Sequence, residues 1–193
     1  QRRRGFVQLK RLTMVVADAA QVSVANQASQ LQKAYDLIAV RPMGVEAWNA
    51  LAERCDVDIV TLPFDEKIGY LVRRKEVDSI LKSGCVFEVD FAPALRDATR
   101  RRNLLENVNN LLHHTRGRHV LLSSGAVDPM ELRSPQDLAN FAVVLGLRGP
   151  LALRSVSEVP LRALQHGVLR QGCARVVAGR GDGDDDVEMG AEL

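Results

Sequence analysis

Two rhythms alternate along the first 123 residues of this chain: short apolar runs, and longer stretches where apolar residues recur every three or four positions. The runs at 11–17 (RLTMVVA), 36–41 (DLIAVR), 57–62 (VDIVTL), 86–91 (VFEVDF) and 118–123 (RHVLLS) predict five strands. Near-continuous apolar runs suit strands covered on both faces. Asp18, Pro42, Pro63 and Pro93 each stop one of them. Helical spacing fills the intervals at 22–33, 45–55, 73–82 and 97–114, the last with Leu104, Leu105, Val108, Leu111 and Leu112 at helical intervals. Gly84 and Gly117 stand just past two of these helices, where a left-handed residue often ends the turn.

After residue 123 the rhythm changes. Ser134-Pro135-Gln136-Asp137 combines a serine cap, a proline at the first helical position and an acid in the first turn. The helix it starts should run to about Leu145 and stop at Gly146. Two further helical pieces are predicted near 151–156 and 160–171, and a last short strand at 175–178 (RVVA). From Gly179 the chain is rich in glycine and aspartate, a composition expected to stay disordered. Strands alternating with helices give the α/β class with a parallel sheet, either doubly wound or part of a (β/α) barrel. The expected organisation is one partial barrel over 1–179 and an acidic tail over 180–193. A complete barrel takes about 250 residues, so this chain would hold only part of one.

Charge changes that picture at one point. Of 26 basic and 24 acidic residues, one and six lie beyond Gly179, which leaves the body with a net charge of +7. Most of the basic residues are arginine, whose guanidinium grips phosphate with two parallel hydrogen bonds. Such a body suits an RNA or DNA partner, and equally a domain with no nucleic-acid partner. Cys55, Cys85 and Cys173 show no paired spacing, so no zinc ribbon or disulfide framework is indicated and a reducing compartment is expected. No apolar run approaches membrane-span length, and no membrane partner is expected. The chain opens on Gln1-Arg2-Arg3-Arg4 without an initiator methionine or an apolar leader, as a fragment or an incomplete gene product would.

The chemistry concentrates where the fourth strand meets the long helix. Arg96, Asp97, Arg100, Arg101 and Arg102 follow Pro93, the residue that breaks the strand. Strand-to-helix junctions are where β/α barrels keep their working residues. Asp97 is placed to cap the helix. Arg101, one turn before Leu104 and Leu105, leans inward, which leaves Arg100 and Arg102 freer to meet phosphate. Ser123, Ser124 and Arg133 follow the fifth strand and should line the same end of a parallel sheet. A merely solvated charged face accounts for the arginines equally well. Glu88 and Asp90 share one face of the fourth strand. They are either a buried network with arginines from neighbouring strands or a carboxylate pair for metal or acid–base work. His113 and His114 point about 100° apart on a helix and make a poor joint metal site.

The segments RLTMVVAD, YDLIAVRP, CDVDIVTLPFDEK, VFEVDFAPALRDATRRR, HVLLSSGA and LRSPQDLANFAVVLGL together resemble the 30-kDa protein subunit of ribonuclease P and RNase MRP, in that family's order and spacing. The most specific stretches are F-E-x-x-[FY]-x-P-A-[IL]-[RK]-D-x-T-x-R-R from Phe87 to Arg102, and SS-x-A with R-x-P-x-D-[LV]-A-N between Ser123 and Asn140. The resemblance implies an α/β, TIM-like (β/α) barrel of the polymerase-and-histidinol-phosphatase type without that type's metal histidines. It implies a protein that is non-catalytic by itself, in a ribonucleoprotein whose RNA removes 5′ leaders from precursor tRNA. No catalytic residue, protein-held metal or cofactor is then expected. The implied partners are the ribonuclease P or MRP RNA, sister subunits including a small RNA-binding one of ferredoxin-like fold, and precursor tRNA indirectly. The implied location is nuclear and nucleolar. Carried over as RNA or subunit contacts are Arg96, Arg100, Arg101, Arg102, Ser123, Ser124 and Arg133. Asp97, Pro93, Glu88 and Asp90 are carried over as structural. The alternative is a metal-dependent hydrolase of the related barrel superfamily using Glu88 and Asp90.

The family has further β/α units ahead of the strand at 11–17, where this chain has QRRRGFVQ. An incomplete barrel is expected to expose strand edges and to be poorly soluble alone.

Overall fold

The computed structural model describes residues 7–27 and 33–178, with the side chains of 27 and 173–178 outside that description. Strands β1 (Arg11–Val16), β2 (Leu37–Pro42), β3 (Ile59–Thr61), β4 (Val86–Asp90) and β5 (Val120–Ser123) form one sheet in the order β1-β2-β3-β4-β5. Every neighbouring pair is parallel. Right-handed crossovers between strands in unbroken sequential order bring all the connecting helices to one face. A doubly wound sheet reverses its order at a switch point and carries helices on both faces. The sheet is therefore wound one way, as a segment of a barrel is.

The helices that cover its outer face are α1 (Ala19–Gln27), α2 (Val45–Glu53), α3 (Arg74–Lys82), α4 (Ala92–Arg96), α5 (Ala98–Thr115), α6 (Pro135–Val144) and α7 (Gly149–Ser155). Strand residues alternate between faces. Val16, Ile38, Val40, Val60, Phe87, Val89, Val120 and Leu122 meet the helix layer, where Trp48, Leu51, Ile80, Leu104 and Leu111 are fully buried. Trp48 Nε1 donates to Glu76 at 2.6 Å, which satisfies the one polar atom of that ring. The opposite strand residues, Ala39, Ile59, Val86 and Leu121, form a second, smaller core with Val159 and Ala163.

That second core exists because of α8 (Glu158–Ala178), a helix of 21 residues laid across the inner face. Here the sequence expectation needs correcting. The piece expected at 160–171 belongs to a longer helix, and 175–178, expected as a strand, is its last turn. Two adjacent valines favour strand locally, but extending an existing helix needs no new nucleation. The first helix starts at Ala19 rather than 22, because the Asp18 carboxylate accepts from the Gln21 amide at 2.8 Å. The rest of the stretch expected at 22–33 falls partly on 28–32, outside the described residues, as do the arginines at 2–4 and the tail expected over 180–193.

α8 is locked at the N-terminal end of the sheet by a buried carboxylate. Asp58 accepts from the Ile38 amide at 2.8 Å, from Arg170 Nη2 at 2.9 Å, and lies 2.7 Å from His166 Nδ1. His166 Nε2 meets the Ser83 carbonyl at 3.0 Å. A ring between two acceptors must donate from both nitrogens, which is the imidazolium. The contact with Asp58 accordingly raises the His166 pKa, and this outweighs the loss of water around the ring. Burial would raise the Asp58 pKa, but His166 and Arg170 hold it below its ordinary value. Cys55 and Cys85, distant in sequence, meet in the core as free thiols with sulfurs 3.0 Å apart. That contact and burial push the Cys85 pKa up, so the thiol stays protonated.

Candidate nucleic-acid interface at the strand ends

Asp90 and Ser123 are partners in the β4–β5 register, so the segments that follow them leave the same end of the sheet. After β4, Pro93 sits in the first turn of the short α4. Asp97 then breaks the helical path with extended dihedrals, φ −139° and ψ 138°. Its carboxylate accepts from the Arg100 amide at 2.8 Å, which makes it the N-cap of α5 as expected.

The arginines around that cap differ in what they do. Arg96 forms a forked ion pair with Glu131, whose carboxylate also accepts from the Val127 amide at 2.9 Å. The Arg96 contact pushes the Glu131 pKa down to about 2. Arg101 is exposed and bends back to the preceding helix, with Nε donating to the Ala94 carbonyl at 2.9 Å. Arg100 stands 3.3 Å from Asp65, which also pairs with Arg41 at 3.2 Å. Arg102 makes no hydrogen bond or ion pair among the described residues. The loop after β3 is stapled to α5 by Asn107, whose amide donates to the Phe64 and Glu66 carbonyls at 2.9 and 2.8 Å.

On the β5 side, Arg133 turns back on its own loop and donates to the Met130 and Leu132 carbonyls at 2.7 and 2.9 Å. It borders a cleft of about 450 Å³ with Phe91, Leu95 and Phe141. The Ser124 carbonyl accepts from the Ala92 amide at 2.9 Å. The Ser123 hydroxyl donates to Asp90 on the inner face. The fold thus gathers Arg96, Arg100, Arg101, Arg102, Ser124 and Arg133 at one end, and only Arg102 of the arginines has its guanidinium wholly open.

Glu88 is fully buried and points inside. Arg11 clasps it with both guanidinium nitrogens, one at 2.6 Å, and the Thr61 hydroxyl donates at 2.6 Å. Burial works to raise its pKa, but Arg11, Thr61 and Ser123 outweigh that and keep it ionised. Asp90 goes the other way, raised by burial and then by the Glu88 charge. The sequence pattern points to partner arginines on neighbouring strands. Arg11 instead comes from β1, three places across the sheet. Nothing in the local sequence marks it. Among the described residues, no three His, Cys, Asp or Glu side chains gather as a metal cage would require.

A one-way-wound β/α sheet with an arginine rim at its strand ends, and its inner carboxylate tied to an arginine, defines a β/α scaffold class. The comparisons narrow that class. A family model described as RNase P subunit p30 matches residues 1–172, and this chain belongs to that family. It is 34% identical over 163 residues to the mouse ribonuclease P protein subunit p30, covering 84% of this chain and 61% of that one. It is 25% identical over 186 residues to the ribonuclease P/MRP protein subunit RPP1 of Saccharomyces cerevisiae, covering 95% and 62%. The chain thus spans about three fifths of either relative. Among solved structures, a chain of archaeal ribonuclease P with mature tRNA, seen by cryo-electron microscopy, superposes with a TM-score of 0.69 at 16% identity. The superposition covers 98% of this chain and 77% of that one, and at this identity it speaks for the fold.

Proposed function

We propose that this chain is a protein subunit of ribonuclease P, and of RNase MRP, that binds and braces the catalytic RNA during 5′ maturation of precursor tRNA. The observation that carries the reading is the family match over residues 1–172. The strand-end arginines support it, with Arg102 open to a phosphate and Arg100 able to exchange Asp65 for one. In this reading the protein performs no bond-breaking step. Its arginines neutralise phosphates and its rigid sheet fixes the RNA segments they hold. Sister subunits, including a small one of ferredoxin-like fold, complete the particle, and it works in the nucleus and nucleolus. The domain plan is a partial barrel of the polymerase-and-histidinol-phosphatase type over 1–179 with an acidic tail beyond.

The hydrolase alternative needs Glu88 and Asp90 as free carboxylates, and Glu88 is engaged by Arg11 and Thr61. The test is affinity capture of the tagged full chain from cell extract, with sequencing of the RNA recovered. One or two discrete structured RNAs, with precursor-tRNA cleavage in the eluate that nuclease abolishes, are expected. Metal-dependent hydrolysis by the protein with no RNA present would overturn the reading. In the same assay Arg102→Ala should weaken RNA retention and lower its salt dependence without changing the melting temperature.

A further inference from the structure

The other end of the sheet, away from the Asp97–Arg102 rim, carries a cleft of its own. The turn that leads from α5 into β5 holds Arg116 (φ 54°), Gly117 (φ 70°) and His119 (φ 59°) in the left-handed region. Non-glycine residues hold such angles only where packing fixes them. The turn sits close against the α6–α7 connection at Gly117, where a Cβ would come within 2.8 Å of Leu147 Cδ2. Between this turn and the α6–α7 connection opens a cleft of about 600 Å³. It continues past Arg118 and Leu151 into a second of about 190 Å³.

The walls are cationic. Arg116, Arg118, Arg148, Arg154 and Arg162 border the two clefts, together with His119. Arg154 pairs with Glu158 at 3.2 Å. The other four arginines make no ion pair or side-chain hydrogen bond among the described residues. The floor between them is apolar, made by Leu112, Leu147 and Leu151. Burial, and then the charges of Arg162 and Arg118, lower the His119 pKa, so its ring is neutral near pH 7.

Unpaired guanidiniums spaced around an apolar floor match a ligand with several anionic groups and flat apolar surfaces between them. An unpaired nucleic-acid strand has that pattern, with phosphates alternating with bases. An acidic peptide supplies the charges without the rings. We propose that this cleft is a second RNA contact, holding an unpaired segment with its phosphates on Arg118, Arg148 and Arg162 and a base against the leucine floor. The proposal rests on the RNA-scaffold reading and extends it to a face that the strand-end rim does not reach.

The experiment titrates the full chain against a ribonuclease P RNA transcript over a salt series. It compares wild type, Arg102→Ala, and the combined variant Arg118→Ala, Arg148→Ala, Arg162→Ala. The three substituted side chains have no partner to lose, so the melting temperature should not move. The combined variant is expected to bind more weakly, with the log–log salt slope smaller by about two, at roughly 0.7 per phosphate contact on a single strand. Photocross-linking of wild type to RNA carrying 4-thiouridine should mark peptides within 112–119 and 147–162. Wild-type affinity and slope in the combined variant, with no cross-link in those peptides, would refute the second contact while leaving the scaffold reading intact if Arg102→Ala still weakens binding. Loss of binding to polyglutamate but not to RNA would assign the cleft to an acidic protein instead. No salt-dependent RNA affinity in wild type would remove both readings.

Discussion

Two side chains show how one residue sets the character of each end of the sheet. Asp97 ends one helical path and caps the next, so Asp97→Ala should lower stability by about 1 kcal/mol, read as a shift in denaturation midpoint. Arg102, five residues on, should leave that midpoint unchanged, which separates the brace from the contact. His166 gives a pH signature. Its folded pKa is raised, so its contribution to stability is whole below the unfolded value of about 6.5 and is lost as pH rises through the folded value. Asp58 acts oppositely: its pKa is lowered, and its contribution is lost as pH falls through that lowered value. The stability gap between wild type and His166→Gln should therefore narrow as pH rises from about 6.5 and level off above the folded pKa. A gap that stays constant over that range would mean the ring is held neutral.

Among the elements, α8 decides whether the inner face is dry. Gly167 lets it approach β2, because a Cβ there would lie 2.5 Å from the Asp36 carbonyl. Gly167→Ala must push the helix away, at a cost of roughly 1–3 kcal/mol, visible in thermal melts and in faster amide exchange at β2. The strands were legible in the sequence because each is a dense apolar run and four of the five meet a proline or aspartate stop, and the α6 start because Ser134, Pro135 and Asp137 spell it out. The reach of α8 was not. Its buried side includes His166, partly, and Arg170, whose partner Asp58 lies more than 100 residues earlier. A helix that packs through charge leaves little apolar periodicity to read. The rim residues were legible as a cluster, but their division of labour depends on Asp65 and Glu131, from the segments after β3 and β5, and on the Ala94 carbonyl of α4. The arginine cleft escaped for the same reason, since its members come from three separate turns and helices.

At the scale of the whole molecule, the described sheet ends on two edge strands, β1 and β5. β1 is an edge strand among the described residues, and Val15 on it is 63% exposed. Exposed apolar edges invite strand addition by a second chain, and a lysine there opposes it. Val15→Lys should raise the protein concentration at which light scattering first reports aggregates; an unchanged threshold would place the adhesive surface elsewhere. The long helix on the inner face has a further implication for how such a chain comes into being. Arg170 reaches back to the Asp36 carbonyl, 134 positions away, so the contacts that close the smaller core join segments made early and late in the chain. A ribosome adding roughly 5–20 residues per second releases those two segments on the order of ten seconds apart. Throughout that interval the nascent sheet is dressed on one side only, and a chaperone or an early-binding partner has its natural moment there.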